Sequence, residues 1–252
     1  MTGWPDGTGR LVLEQTDSTN SEAKRRAVDP TTRLPLWIMA RRQVHGRGRQ
    51  GRGWRSGEGN LTATWLGRPA LTAVQGAQLS FAACLAVADL AIAVAPRAEV
   101  RVKWPNDVLV GGRKVAGVLL ESAGQGGWLD WLAVGVGVNL AHAPAPDEIE
   151  PGRHAPTSLA AEGVAPPAPE QALERLATRF EHWRALHARE GFAPLRAAWL
   201  ARAAGLGQRI EARLPGRTLT GTYEDVDAEG SLVLRHASGR ARIAAAELVF
   251  PA

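Results

Sequence analysis

Apolar and polar residues alternate along most of the first two-thirds of the chain, which predicts a sheet built from short strands. The strands are expected at 10–16, 36–43, 60–66, 100–104, a hairpin of 108–110 with 115–120, and 129–140. The hairpin turns at Gly111-Gly112. Strands separated by helical segments, with hairpin connections among them, predict a mixed sheet flanked by helices.

The helical segments are recognised by their different spacing. Residues 75–95 are apolar on nearly every face and predict a long helix buried against the sheet, with Cys84 as a small core residue. A shorter helix is predicted at 21–28, and apolar residues return at helical spacing in 170–190 and 192–204. These segments complete a large α+β domain.

From Leu206 the pattern changes to short alternating strands separated by turns, which is typical of a small β-barrel. They are predicted at 208–214, 217–226, 230–236 and 241–249. The fold class is therefore predicted to be α+β, with a mixed central sheet flanked by helices and a small C-terminal β-barrel. The domains are expected at 1–205 and 206–252.

The amino-acid composition indicates a large buried core and the cellular compartment in which we expect the protein. With 252 residues, 45% of them apolar, the chain can bury a large core. One cysteine excludes an intrachain disulfide and favours a reducing compartment. The N-terminus lacks a charged-then-apolar signal pattern, and the apolar stretch 79–95 carries Asp89 and is short for a membrane span. We expect a cytoplasmic protein without membrane association.

The most unusual segment is Gly46–Trp54, with the sequence GRGRQGRGW. Four glycines and three arginines occur there without an acidic residue. Glycine lets the backbone approach a ligand closely, and arginine offers a planar fork of donors to a carboxylate or phosphate. The segment predicts a loop that binds an anion and becomes ordered around it. The alternative is a solvated linker that binds nucleic acid loosely.

The distribution of charge bears on that choice. The net charge is +5, but 40–55 alone carries six arginines and no acid, so the remainder sums to −1. A surface that binds duplex nucleic acid would spread its basic residues more widely. A small, highly charged ligand fits better.

Polar residues stand at several predicted strand ends. Asp17-Ser18-Thr19-Asn20 precedes the first helix. A helix needs only one such residue as its N-cap, so the other side chains could face a ligand. The alternative is that the segment only caps the helix. Gln43 ends the second strand at the rim of the loop. Gly135 and Gly137 lie inside the last strand, where a ligand or backbone could come close, and Asn139 follows them.

The hairpin region carries two cations beside polar groups: Lys103, Asn106, Asp107 and Lys114. Such a set could neutralise a polyphosphate and hold its magnesium, since Mg²⁺ takes one or two carboxylates plus phosphate oxygens. The alternative is a surface hairpin with an ordinary ion pair.

Seven of the sixteen prolines lie in 141–169, which predicts a loop that could serve as a lid.

In residue type and order, these motifs resemble the biotin protein ligases. The resemblance rests on Asp17–Asn20, GRGRQGRGW, KWPND at 103–107, GGRKVAGVLLE at 111–121 and GVGVN at 135–139. It implies that biotin and ATP form biotinyl-5′-adenylate with Mg²⁺, and that a lysine of a biotin carboxyl carrier protein then accepts the biotinyl group. The larger domain would be the catalytic one.

The resemblance also implies roles for single residues. Those implied on the biotin side are Ser18, Thr19, Asn20, Gln43, Arg47, Gly48, Arg49, Lys114 and Gly117. Those implied on the ATP and adenylate side are Arg49, Arg52, Trp54, Lys103, Asn106 and Asn139. Lys114, Arg49 and Asp107 would be catalytic, and Asp107 is the candidate magnesium ligand.

The partners expected from the resemblance are a carrier protein and no sequence-specific DNA. Many bacterial members carry an N-terminal helix-turn-helix domain and repress transcription, whereas here the catalytic pattern begins within the first twenty residues. A free sheet edge leaves a homodimer open. The rival activities are a lipoate or octanoate ligase and, from another class, an RNA-binding protein whose affinity would fall steeply with salt.

Overall fold

A seven-stranded mixed sheet forms the centre of the computed structural model, which describes residues 3–145 and 154–250. The strand order is β1-β2-β3-β7-β6-β5-β4; β1 and β2 are parallel, and the other neighbours are antiparallel. The strands are β1 Gly9–Thr16, β2 Leu36–Gln43, β3 Leu61–Gly67, β4 Val100–Lys103, β5 Asp107–Val110, β6 Arg113–Gln125 and β7 Trp128–Val138. The mixed sheet predicted from the alternation is confirmed.

The described residues form four α-helices: α1 Thr19–Val28, α2 Ala73–Val94, α3 Pro169–Glu190 and α4 Ala193–Leu200. Helices α1, α2 and α3 pack against the central sheet, and α4 packs against α2 and α3. Helix α2 begins with a capping box between Thr72 and Gln75. It is long and apolar enough to cross a membrane by length and composition, but 67% of its apolar window is buried inside the protein. Cys84 is fully buried within it. Helix α2 is thus the central helix of the core.

The two faces of the central sheet pack against different helices. On one face, Val134, Val136 and Val138 of β7 join the main core with α2 and α3. On the other face, α1 covers a smaller cluster that includes Ile38 and Ala133. Because side chains alternate along a strand, Gly135 and Gly137 lie on the α1 face. That face carries the cavity described below.

The C-terminal unit is a small antiparallel sheet of five strands, which agrees with the predicted small β domain, although the described residues do not close it into a barrel. Its strands are antiparallel, in the order β11-β10-β9-β8-β12. They span β8 Arg209–Leu214, β9 Arg217–Val226, β10 Leu232–His236, β11 Gly239–Ile243 and β12 Glu247–Val249. The predicted single strand 241–249 is interrupted at 244–246, where the chain bends and crosses to the opposite edge. With only three residues, β12 pairs with β8 and does not close the sheet onto β11 in the described chain.

The C-terminal sheet is fixed to the larger unit by hydrogen bonds from buried side chains. Gln78 of α2 donates to the carbonyl of Ala228, and the indole N–H of Trp104 donates to the carbonyl of Gly230, at 3.0 Å each. Trp104 is the first residue of the turn between β4 and β5. These bonds hold the small sheet beside the β4–β5 hairpin. The exact division at 205/206 stays a prediction.

The start of the first helix and the proline-rich loop differ in part from their predictions. Helix α1 begins at Thr19, two residues earlier than expected. The proline-rich segment is described at 141–145 and from residue 154 onward, where a single short helical turn precedes α3. Its proposed lid function involves 146–153, which lie outside the described residues.

Candidate active site

A cavity of about 460 Å³ opens on the α1 face of the sheet, a size that suits a small-molecule ligand. Every residue to which the resemblance assigns a binding or catalytic role lines it. These residues are Ser18, Thr19, Asn20, Gln43, Arg47, Gly48, Arg49, Arg52, Trp54, Lys103, Asn106, Asp107, Lys114, Gly117 and Asn139. Segments far apart in the chain therefore converge on one site.

Glycines on β6 and β7 make room on the floor of the cavity. Gly117 lies opposite Gly137 in the strand register. The indole of Trp54 lies over both: a Cβ at Gly137 would overlap the indole, and a Cβ at Gly117 would come within 3.3 Å of it. The side chain of Asn20 fills the space above Gly135 in the same way. The glycines inside the strand mark a close approach of side chains from the loop and α1.

We therefore predict that Gly137→Ala weakens ligand binding while the fold is retained. The added methyl group must push Trp54 off the sheet, because the indole occupies its place. Since Trp54 ends the loop, its displacement should disturb the whole segment 46–54. Ligand affinity by titration calorimetry and the melting temperature would be measured together. Gly57→Ala is the control for an added methyl group outside the cavity, where a Cβ would meet only ordinary contacts with His142, and unaltered affinity in Gly137→Ala would contradict the prediction.

A buried polar wall lines the cavity beside α1. Ser18 is the N-cap of α1 but makes no side-chain capping bond. The backbone N–H and hydroxyl of Thr19 donate to Gln43 Oε1 at 2.7 and 3.1 Å. Thr64 Oγ1 donates to Asn20 Oδ1 at 2.7 Å and lies 2.8 Å from Thr19 Oγ1. The Ser18–Asn20 segment is thus more than a helix cap, because Thr19 and Asn20 take part in a fixed network.

Asp17 stabilises the start of this wall from outside. Its carboxylate accepts from the Ser18 N–H at 2.8 Å and is paired with the guanidinium of Arg25 at 2.8 Å. The Arg25 hydrogen bond holds the pKa of the Asp17 carboxyl well below its ordinary value. Asp17 therefore stays ionised at neutral pH.

The loop 46–54 folds back on itself at the mouth of the cavity. The Gly48 N–H donates to the Arg52 carbonyl at 2.7 Å, and the Trp54 N–H donates to the Gly46 carbonyl at 2.8 Å. Between them, Gln50 takes a left-handed conformation with φ of 57°. The arrangement is a narrow hairpin rather than an open linker.

Arg49 lies at the tip of this hairpin and is half-buried. Its Nη1 donates to Asn106 Oδ1 at 3.2 Å. Burial lowers the pKa of the guanidinium, but arginine titrates so far above neutrality that it stays charged. A half-buried cation that donates to a neutral amide is suited to an anionic ligand.

The β4–β5–β6 hairpin supplies the other cations. Lys114 Nζ lies 2.6 Å from Asp107 Oδ1 and 5.8 Å from the centre of the Trp54 ring. Lys103 is 6% exposed and its Nζ lies 5.6 Å from the centre of the Phe250 ring. The ion pair predicted as a structural alternative does exist, but it lines the cavity and is not on an outer surface.

Asn139 is a further polar group in this region. Its Nδ2 donates to the Thr157 carbonyl at 3.0 Å. Its Oδ1 is buried and has no hydrogen-bond partner in the described parts of the chain. Buried polar atoms are rarely left unpaired in native proteins. Asn139 Oδ1 is therefore available to accept a hydrogen bond from a ligand.

Several lining residues were missed by the sequence interpretation. The C-terminal sheet contributes Ala246, Glu247 and Leu248, and the segment after the undescribed residues contributes His154 and Pro156. His154 lies 3.1 Å from the Gly112 carbonyl, and burial lowers its pKa. These residues reach the cavity through tertiary contacts of the C-terminal sheet and of the segment after residue 153, and no local sequence motif indicates such contacts. Thr64 does not line the cavity but supports the polar wall, and its alternation with Thr62 along β3 was a signal that one face of that strand is polar.

A preformed metal centre is not present within 3–145 and 154–250, where His, Cys, Asp and Glu form no cluster of three or more that could hold an ion. Two carboxylates of the described residues line the cavity: Glu247 is paired with Arg52, and Asp107 follows Asn106 directly in the chain. That donor set fits a Mg²⁺ ion that arrives with a nucleotide, since Mg²⁺ needs few protein carboxylates when phosphate oxygens complete its shell.

Comparisons with known proteins agree across sequence and structure. Residues 12–139 match the biotin/lipoate A/B protein ligase family, and residues 205–250 match the biotin protein ligase C terminal domain. The chain is 47% identical over 240 residues to the biotin–[acetyl-CoA-carboxylase] ligase of Paracoccus denitrificans, covering 95% of this chain and 99% of that one. It is 36% identical to the Mycobacterium tuberculosis protein of that name, covering 88% and 82%. The structure of a biotin protein ligase from Aquifex aeolicus in complex with biotin and ATP superposes with a TM-score of 0.79 at 25% identity, covering 95% and 97%.

Proposed function

The chain belongs to the biotin/lipoate A/B protein ligase family, and we propose that its cavity is where biotin is activated by ATP. The chain acts as a biotin–[acetyl-CoA-carboxylase] ligase: it forms biotinyl-5′-AMP and transfers the biotinyl group to a lysine of a biotin carboxyl carrier protein. The observation that carries the placement is the convergence of all predicted biotin and ATP residues on one cavity.

In the first step, a carboxylate oxygen of biotin attacks the α-phosphorus of ATP. An O–P bond forms, the bond to the β-phosphate breaks, and pyrophosphate leaves. Two anions must approach each other, so the main tasks of the protein are positioning and charge neutralisation. Arg49 of the loop and Lys114 of β6 both supply fixed positive charge to the cavity. A bound Mg²⁺ ion would neutralise phosphate charge, with Asp107 and Asn106 as the residues that would hold it.

In the second step, the amine of a carrier lysine attacks the acyl carbon of the adenylate. The amide bond forms, the acyl–phosphate bond breaks and AMP leaves. The attacking amine must be uncharged and must lose a proton. Asp107 is the carboxylate placed to orient that amine, because it already lies 2.6 Å from the ammonium of Lys114.

The polar wall suits the head group of biotin. A ureido ring presents two N–H donors and one carbonyl acceptor, and the wall offers hydroxyls and amides of both kinds. Ser18, Thr19 and Asn20 are each at most 4% exposed, so a ligand there would lie in a desolvated site. Unpaired polar groups in such a site are costly, which favours a ligand of matching polarity.

The rival activities receive less support. A lipoate or octanoate ligase would share the family of residues 12–139, but residues 205–250 match a domain named for biotin protein ligases. The RNA-binding hypothesis required a solvated linker, whereas the loop is a hairpin with Arg47 and Arg52 paired to Glu121 and Glu247. Cytoplasmic location, the absence of sequence-specific DNA binding and of membrane association, and a homodimer stay predictions.

Mass spectrometry of a carrier domain tests the proposal. The carrier is incubated with the protein, biotin, ATP and Mg²⁺, and a gain of one biotinyl group on one lysine is expected. Lipoate replaces biotin in a parallel reaction, and ATP is omitted in another. Modification by lipoate alone would favour the rival ligase, and an unmodified carrier accompanied by salt-sensitive RNA binding would favour the other class.

A further inference from the structure

The loop 46–54 is held at two points by carboxylates from different parts of the fold. Arg52 Nη2 lies 2.8 Å from Glu247 Oε2 of β12, and Arg47 Nη1 lies 3.2 Å from Glu121 Oε1 of β6. Arg49 lies between these two arginines and faces the cavity. The outer arginines therefore orient the hairpin, and the central one is left for the ligand.

Glu121 differs from an ordinary loop anchor in its other contacts. Its Oε2 accepts a hydrogen bond from Asn20 Nδ2 at 3.0 Å, and its Oε1 lies 3.6 Å from Lys24 Nζ. Its side chain is 16% exposed. This partly buried carboxylate thus contacts the loop through one oxygen and the polar wall through the other.

This geometry connects two regions that a ligand would occupy together. Asn20 is fixed by Glu121 on its Nδ2 side and by Thr64 on its Oδ1 side. Any shift of Asn20 must move the carboxylate that holds Arg47. We propose that Glu121 is a positioning residue that makes closure of the loop depend on an ordered polar wall. This inference rests on the proposed function, for which the wall binds biotin and the loop covers the adenylate.

The strength of the contacts suits a reversible closure. The Arg47 side chain is 45% exposed, and ion pairs with that much solvent contact contribute little individually. A weak contact biases the loop without locking it. Glu121 should therefore influence how long the adenylate is retained more than how tightly the empty protein is folded.

Glu121→Gln is the variant that isolates the charge. The amide keeps the shape and can still accept from Asn20, but it no longer pairs with the guanidinium of Arg47. We expect the dissociation rate of biotinyl-5′-AMP to rise about two- to fivefold, with faster protease cleavage inside 46–54 in the loaded protein. Lys24→Ala removes the other cation on Glu121 without touching the loop, and it should leave both readouts at the parent value.

A double-mutant cycle with Arg47→Gln separates positioning from stability. If Glu121 acts through Arg47, the double variant should release adenylate no faster than either single variant. Additive effects, or a lower melting temperature with an unaltered dissociation rate, would overturn the proposal. Failure of the proposed function itself is seen separately, because the parent protein would then form no adenylate to retain.

Discussion

Lys114→Ala should reduce biotin-dependent pyrophosphate release by about 10²- to 10³-fold, the loss typical of removing one preorganised donor from an active site. The Lys114 ammonium is held 2.6 Å from Asp107 in the cavity, so it is oriented before substrate arrives. Without it, the biotin carboxylate would meet the phosphate with one fewer neutralising charge. Asp107 would also be left without its lysine partner.

The same substitution should leave the fold intact. The backbone N–H of Lys114 donates to the Ala155 carbonyl, and its carbonyl accepts from the Thr157 N–H, both at 2.8 Å. Alanine keeps these bonds, and the lost side chain is 30% exposed. Pyrophosphate release and melting temperature are measured on the parent, on Lys114→Ala and on Lys24→Ala, a surface lysine outside the cavity. Unimpaired release in Lys114→Ala would remove this residue from the mechanism.

The residues proposed for the site lie together in the structure for a physical reason. Its residues stand at strand ends and in glycine-rich turns, where local sequence reports the backbone directly. Residues 36–43 were predicted as a strand and form β2 with those bounds. Gly135 and Gly137 were predicted to mark a close approach, and the side chains of Asn20 and Trp54 lie over them.

Long-range contacts set the limit of that interpretation. Glu247 reaches the loop only because the chain bends at 244–246 and carries β12 across the small sheet. Alternation alone could not reveal that bend, since Ala244–Ala246 is apolar and continues the pattern of its neighbours. The contact of Glu121 with Arg47 likewise joins residues far apart in sequence. Such pairs follow from the sheet order, which the strand pattern does not determine.

Arg49→Gly should form biotinyl-5′-AMP but lose it to solvent. The substitution removes a charge-assisted contact worth about 1.5–3 kcal/mol, which corresponds to a dissociation rate on the order of 10- to 100-fold higher. Glycine also loosens a backbone that already carries a left-handed Gln50 next to this position. The closed loop would no longer keep the reactive mixed anhydride from water.

Two further variants separate these causes. Arg49→Ala removes the guanidinium with less gain in backbone freedom, and Arg49→Lys keeps the charge without the planar fork. The expected order of adenylate dissociation rates is Gly, Ala, Lys and parent, from fastest to slowest. Each rate is measured without carrier, and the susceptibility of 46–54 to protease is compared with and without biotin and ATP.

Escape of the adenylate should also be visible as modification of unrelated proteins. The chain contains three lysines: Lys103 is buried, Lys114 is paired with Asp107, and Lys24 is on the surface, so the chain itself offers few targets. A lysine-rich bystander protein added to the reaction is the better detector, and Arg49→Gly should biotinylate it more than the parent does. Parent and variant with equal dissociation rates, or a loop equally protected when empty, would contradict this account of the arginine and glycine content of 46–54. Any additional biotinylation of the bystander by the variant would then need a cause other than loss of the Arg49 contact.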